Sequence, residues 1–407
     1  MRILLFSTHF PRPNNPTIAT WALSQISALR DAGNEVKVVS PIAAIPGFIS
    51  MILRRGTSSE CPARHNWRGI ETEYVRWPVY PVGPLARWQR DRPDLNVKLA
   101  WTLCSRKFIS MARHVSPDII SAHIGSLGGF VAAKVARELK APFFITEHNF
   151  WDIESCATNI HRKRHYQEAI KGISGWIAVS DRLHKRMKAI FPDAPVITVH
   201  NGAETIPNAL KENPRPTWLV DRQVVLCAAF FYKIKMVPLL IQAFDSVAER
   251  YPDARLLVIG DGDDKPAVLA ALDSAIHRSQ IILLGQLAHR EVLQYMVWCD
   301  IFANIGIREP FATVFLEAMM ASKPIIYASD GGITDVVTTG IHGLEVHPND
   351  QGSAADALSE LLSDVSLRHR LGAQARRLAE TELTCAENAR HMLGLFEETC
   401  RSWRNAH

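Results

Sequence analysis

Residues 2–40 read RILLFSTHFPRPNNPTIATWALSQISALRDAGNEVKVVS. The apolar run 2–7 predicts a strand, the amphipathic periodicity of 18–31, stopping near Gly33, predicts a helix, and 35–40 predicts a second strand. This is a β-α-β opening. The same alternation resumes with PDIISAH (117–123), a helix near 127–139, APFFITEH (141–148), a helix near 161–172, GWIAVS (175–180), a further helix, and PVITVHNG (195–202). Residues 203–222 carry three prolines among polar residues and read as a linker. After it come VVLCAAF (224–230), a helix near 237–250, ARLLVIG (254–260), a helix near 265–277 and QIILLG (280–285). A helix near 289–298, IFANIG (301–306), a helix near 313–321, PIIYAS (324–329) and a helix-rich tail complete the chain. Apolar strands alternating with helices imply a parallel sheet covered on both faces. The expected class is therefore α/β with two doubly wound Rossmann-like domains, residues 1–203 and 204–384, facing across a cleft, and a helix from about 385 to 407. In such sheets ligands sit beyond the carboxyl ends of the strands, so the site is expected in that cleft.

Composition bounds the class. The 407 residues are 47% hydrophobic and 21% charged, enough for two or three domains with cores of their own, and they exclude disorder, collagen and coiled coil. The longest apolar stretch, Pro41 to Leu53, is interrupted by Pro46 and Gly47 and falls short of the ~20 residues that a spanning helix needs. The start, MRILLFSTHF, reads as a first strand rather than an export signal. Seven scattered cysteines without a C-x-x-C pair fit reduced thiols in a cytoplasmic protein.

The net charge of +5 divides into +12 over residues 1–203 and −7 over residues 204–407. A basic half points to phosphate or an anionic surface. Nucleic acid is not an expected partner, because no zinc-finger spacing, RNP-like motif or basic heptad region is present. Residues 42–56 join an apolar run to Arg54-Arg55, and residues 85–113 interleave Trp88 and Trp101 with Lys and Arg; both fit a core helix pair as well as a membrane surface. The expected location is cytoplasmic, with a peripheral position on the inner face of the cell membrane as an extension of it.

The residues that follow Ser7, THFPRPNNPT, lack the G-x-G-x-x-G of a dinucleotide enzyme. The chemistry concentrates instead in EPFATVFLEAMMASKP (309–324), followed by GGITDVV (331–337) and GIHGLEVHP (340–348). Glu309 precedes the predicted helix and Glu317 lies in its opening turns. The free N–H groups of Ala312 to Val314 favour an anion such as a diphosphate. Two carboxylates beside an anion site make sense when they hold hydroxyls, and a nucleotide-sugar offers hydroxyls on both sides of its diphosphate. Spacing alone equally fits a loop carboxylate and an acidic residue favoured by the helix dipole.

These stretches, with PDIISAH (117–123), TEH (146–148), VHNG (199–202), LIQAF (240–244), LVIGDG (257–262) and LG (284–285), resemble the family-4 retaining glycosyltransferases of the GT-B fold, of the bacterial polysaccharide type. The resemblance covers nearly the whole chain. It implies transfer of a hexose from a nucleotide diphosphate sugar to a glycan or lipid-linked acceptor, with retained configuration. It implies catalytic roles for His148, Lys235 and Glu309, Lys235 being the cation for the departing diphosphate and His148 a contact to the donor sugar. It sets Lys233, Leu287, Phe311, Ala312, Thr313, Val314 and Glu317 on the donor, with Glu317 on the ribose hydroxyls, and Ala19 and Thr20 in an acceptor-side or phosphate-side loop. It also implies that the last helix crosses back onto the first domain. No cofactor and no metal are expected, and Asp261-Gly-Asp263 reads as a turn.

The chain departs from the family pattern. Phe230 stands where an arginine is usual, Met236 follows the lysine in place of glycine, and Ala19, Ala312 and Ser322 replace glycines. Lysine is a point charge and does not reproduce an arginine fork. These departures favour, as an alternative, a catalytically weak sugar-nucleotide-binding partner subunit; a GT-B-fold sugar-nucleotide 2-epimerase is a second alternative, disfavoured because the Glu309–Glu317 stretch and the Gly331-Gly332 segment match the transferases better.

Overall fold

The structure is a computed structural model that describes residues 1–16, 19–44, 61–78 and 92–406. Residues 45–56 of the apolar-basic segment, Arg54 and Arg55 among them, and Trp88 lie outside the described residues. The chain forms two compact units, Met1–His200 with Cys385–His407, and Asn201–Thr384.

In the first unit the order is β1 (Arg2–Ser7), α1 (Thr20–Asp31), β2 (Glu35–Ala44), β3 (Arg64–Trp67), β4 (Ile70–Pro78), α2 (Pro93–Val115) and β5 (Ile119–His123). A π-helical turn, Gly125–Gly129, then leads into α3 (Phe130–Leu139), β6 (Phe143–Glu147), α4 (Phe150–Thr158), α5 (Ile160–Ile170), β7 (Gly175–Ala178), α6 (Asp181–Ile190) and β8 (Val196–Thr198). The strands lie in the order β3-β4-β2-β1-β5-β6-β7-β8. Every pair is parallel except β3 with β4. That hairpin was not expected from the sequence; its two-residue loop, Arg68-Gly69, has φ of 50° and 86°, the two left-handed residues of a type I′ turn. β5, β6 and β7 are buried at every residue, as parallel strands covered on both faces are.

The second unit begins with a short helix, α7 (Asn208–Lys211), inside the stretch expected to be a linker, where Leu210 and Leu219 are buried. It continues through β9 (Gln223–Ala228), α8 (Val237–Ala248), β10 (Ala254–Ile259), α9 (Lys265–Asp273), β11 (Ile281–Gly285), α10 (His289–Trp298) and β12 (Ile301–Asn304). Then follow α11 (Thr313–Met320), β13 (Ile325–Ala328), β14 (Gly343–Val346), α12 (Gln351–Ser363) and α13 (Val365–Glu382). Its parallel sheet has the order β11-β10-β9-β12-β13-β14. Counted from β9 this is the 3-2-1-4-5-6 order of a Rossmann fold, which reverses between β9 and β12 and leaves a crevice at their carboxyl ends.

The last helix, α14 (Cys385–Ala406), belongs to the first unit. Its Ala389, Met392, Phe396 and Cys400 recur at helical spacing and join Ala22, Leu23, Ile26 and Leu29 of α1 in one core with β1 and β2. Phe396 is fully buried, its ring centroid 4.9 Å from that of Phe144. Full burial of such a side chain contributes about 2–3 kcal/mol, and truncating it to alanine is expected to cost about 3–5 kcal/mol.

Candidate functional site

The strand order of the second unit decides what meets. The loop after β9 carries Lys233 and Lys235 in a single 3-10 turn, and the loop after β12 carries Glu309. Because β9 and β12 are neighbours, the two loops touch: Ile307 N–H donates to Ile234 C=O at 2.8 Å, and Lys235 Nζ forms an ion pair with Glu309 Oε1. The Glu309 side chain is 7% exposed and that of Lys235 17%, so the pair is largely out of water. Lys233 is exposed. Glu309 C=O accepts from Gly332 N–H at 2.7 Å, which brings the Gly331-Gly332 segment beside the same loop. Asn304, at the end of β12, accepts from Gly306 N–H at 3.1 Å, and a Cβ on Gly306 would sit 2.9 Å from Glu309 Oε1.

Behind Glu309, Phe311 is buried, and its carbonyl accepts from Asn201 Nδ2 at 3.2 Å. Ala312 is the N-cap of α11 and offers no side-chain acceptor. The N–H groups of Thr313 and Val314 in the first turn have no intrahelical partner, and the dipole makes that end electropositive. Glu317, one turn on and half-buried, lies with Oε1 2.8 Å from His289 Nε2. His289 opens α10, directly after the loop that holds the half-buried Leu287. The sequence reading did not single out His289, because its partner comes from a different strand-helix unit and no local pattern signals the contact.

The loop after β10 closes the lysine loop from the other side. A Cβ on Gly260 would lie 1.9 Å from Ala229 C=O, so only glycine fits there. Asp261 turns inward on its own segment, accepting from Gly262 N–H at 2.8 Å and pairing with Lys265 at 2.8 Å. Phe230, in the place of the usual arginine, is 51% exposed.

In the first unit the reversal falls between β1 and β5. His123 ends β5, and His148 follows β6. The His148 ring packs on Trp21 of α1 with centroids 4.1 Å apart and faces His123 at 5.1 Å. Among the described residues neither His148 Nε2 nor His123 Nδ1 has a hydrogen-bond partner. Burial, followed by the neighbouring His123 and His9, holds the His148 pKa well below its usual value, and burial pushes that of His123 down to about 3. Both rings are therefore neutral at physiological pH. Ala19 caps α1 in the left-handed region, φ 51°, and Thr20 is the first helical residue. Trp21 and His123 were not picked out from the sequence; they become visible only once α1, β5 and β6 converge.

The family model for "Glycosyl transferases group 1" matches residues 211–378, and that for "Glycosyltransferase Family 4" matches residues 18–205. Relatives include spore coat protein SA of Bacillus subtilis, 25% identical over 63% of this chain and 73% of that protein. Another is the alpha-monoglucosyldiacylglycerol synthase of Acholeplasma laidlawii, 23% identical over 60% of this chain and 67% of that protein. Among solved structures, sucrose-phosphate synthase from Thermosynechococcus elongatus superimposes with a TM-score of 0.77 at 18% identity, covering 98% of this chain and 99% of that one. HepE of Anabaena, in complex with UDP-glucose, gives 0.70 at 19% identity over 98% and 99% of the two chains.

Proposed function

Because this chain belongs to the family-4 glycosyltransferases, with the two Rossmann-like domains of the GT-B fold, we propose that it moves a hexose from a nucleotide diphosphate sugar to a glycan or lipid-linked acceptor with retained configuration. The observation that carries this reading is the Lys235–Glu309 pair lying beside the uncapped first turn of α11, with Glu317 on the same helix. The N–H groups of Thr313 and Val314 and the Lys235 ammonium receive the diphosphate. Phe311 and Ala312 contribute backbone beside it, Lys233 adds positive charge at the exposed rim, and Leu287 lies on the nucleotide side. Glu317 accepts from the ribose hydroxyls, and Glu309 from hydroxyls of the transferred sugar.

As the sugar–phosphate bond breaks, negative charge grows on the leaving phosphate oxygen. A preorganised cation and helix N-terminus stabilise that charge without reorganisation, and no metal is assigned to the step. His148, neutral and with an unpartnered Nε2, serves as a hydrogen-bonding contact to the sugar. Ala19 and Thr20 keep the acceptor-side or phosphate-side role. The lipid-glucosylating name of the Acholeplasma relative supports a lipid-linked acceptor, and the UDP-glucose complex of HepE supports a uridine diphosphate hexose donor. Among the described residues no helix is long and apolar enough to cross a membrane. The basic balance of residues 1–203 supports a peripheral position on an anionic surface.

Incubation with a panel of nucleotide-sugars, with and without glycan and polyprenyl-phosphate-linked acceptors, tests the reading. Acceptor-dependent release of nucleoside diphosphate and an α-linked product from an α-linked donor are expected. Tight donor binding without turnover would replace this reading with a sugar-nucleotide-binding subunit.

A further inference from the structure

Glu147 ends β6 immediately before His148 and is wholly buried. Its Oε2 accepts from Gly125 N–H at 3.1 Å and lies 3.4 Å from Tyr166 Oη, while its Oε1 accepts from His148 N–H at 3.3 Å. Gly125 opens the π-helical turn that follows β5, and Ile124 before it has φ 64°. A β-branched residue in the left-handed region is strained and persists only where its surroundings over-determine it. The surroundings here do so. Ile124 N–H donates to Thr146 C=O at 2.7 Å, His165 hydrogen-bonds Ser126 C=O, and a Cβ on Gly125 would meet Tyr166 Cε1 at 2.5 Å. One carboxyl thus joins the strand ends that carry His123 and His148, the two rings that face each other.

We propose that Glu147 is a positioning residue, which holds the strained Ile124–Gly125 turn against the His148 peptide and thereby fixes the His148 ring. The proposal rests on the role given to His148 above. Asp152 and Cys156 of α4 and Tyr166 of α5 act on this carboxyl, and Arg162 of α5 acts in turn on Cys156 and Tyr166. Arg162, the cation among them, is engaged with Asp152 at 3.1 Å. Burial, and after it the Asp152 charge, pushes the Glu147 pKa from 4.5 up to about 8. The group therefore acts as a neutral acid at pH 7. A folded-state pKa above the unfolded one means that the stability it contributes falls as pH rises from 4.5 to about 8. Above that range a buried carboxylate, with no cation paired to it among the described residues, stands under the turn.

The test compares Glu147→Gln, neutral at every pH, with Glu147→Ala. Wild-type kcat is expected to fall above about pH 8, and Glu147→Gln to lack that limb. Glu147→Ala is expected to lose about 10- to 100-fold in kcat at pH 7, with donor KM changed less than about threefold. Amide hydrogen exchange over residues 123–130, corrected for intrinsic rates, gives a readout apart from activity. Loss of protection near pH 8 is expected in the wild type and not in Glu147→Gln. Identical pH profiles of wild type and Glu147→Gln, or a folded Glu147→Ala with unchanged kcat, would overturn the proposal. If no donor is turned over at all, the transferase reading fails, and the exchange experiment still decides whether Glu147 holds the turn.

Discussion

The Lys235–Glu309 pair gives the sharpest test of the site. Glu309 is almost enclosed and Lys235 reaches water only at one side. Removing one member of a buried pair typically costs about 3–5 kcal/mol, because the other charge is left without compensation. The partial exposure of Lys235 lowers this, so Lys235→Met, which keeps an apolar stem and deletes the ammonium, is expected to destabilise the second unit by about 2–3 kcal/mol. Glu309→Gln leaves a lysine that can turn to solvent and is expected to cost about 1–2 kcal/mol. Once Glu309 is neutral, the loss of the ammonium matters little. The double variant should therefore cost hardly more than Glu309→Gln alone, a coupling of about 2–3 kcal/mol. For a unit of this size each kcal/mol shifts the midpoint by about 2–4 °C, so Lys235→Met should melt about 4–12 °C lower. Calorimetry reads this from the transition of the second unit, since two units need not melt together. A nucleoside diphosphate at 100 times its Kd should add about 2.7 kcal/mol to the wild type, and far less at the same concentration to Lys235→Met. Strictly additive single effects, or a Lys235→Met variant with wild-type melting and nucleotide stabilisation, would refute the buried pair and its role.

Other expectations follow from single contacts. Ser322 sits at φ 60° past the end of α11 and donates to Met319 C=O at 2.9 Å while Lys323 N–H donates to Ala318 C=O at 3.0 Å, a Schellman motif with serine in the glycine position. Ser322→Gly should stabilise the second unit by about 0.5–1 kcal/mol, the relief of left-handed strain exceeding the added unfolded-state entropy; a lowered midpoint would contradict this. Glu317→Gln and His289→Ala should each weaken nucleoside diphosphate binding by about 1–3 kcal/mol in calorimetric titration, with a smaller loss for a 2′,3′-dideoxy analogue; an equal loss for both nucleotides would remove the ribose assignment. Transfer should persist in chelator, and activity that vanishes in EDTA and returns with manganese would revive Asp261 and Asp263 as ligands. Sedimentation with anionic vesicles should show weak binding that falls with salt and with Arg54→Glu plus Arg55→Glu, whereas no preference over neutral vesicles would remove the membrane proposal.

Local periodicity determined that this chain has two runs of alternating strands and helices, because apolar runs of four to eight residues and amphipathic helices are written in adjacent residues. It also exposed Glu309 and Glu317 at the start of one helix, since both lie in a single stretch of chain. Tertiary structure decided the rest, for reasons that are non-local. Strand order set β9 beside β12 and so brought Lys235 to Glu309. It likewise let α10 reach α11 and so gave Glu317 its histidine. The β3–β4 hairpin adds an antiparallel edge whose only local sign is Arg68-Gly69. Backbone handedness at Ala19, Met236 and Ser322, φ 51°, 53° and 60°, is fixed by the loops and helix ends that hold these residues and not by their side chains, which disfavour it. Glu147 reads in the sequence as one more acidic residue. Only enclosure between the β5 turn and α5 makes it a neutral acid, because the cost of its charge depends on what surrounds it in space and not on its neighbours in the chain.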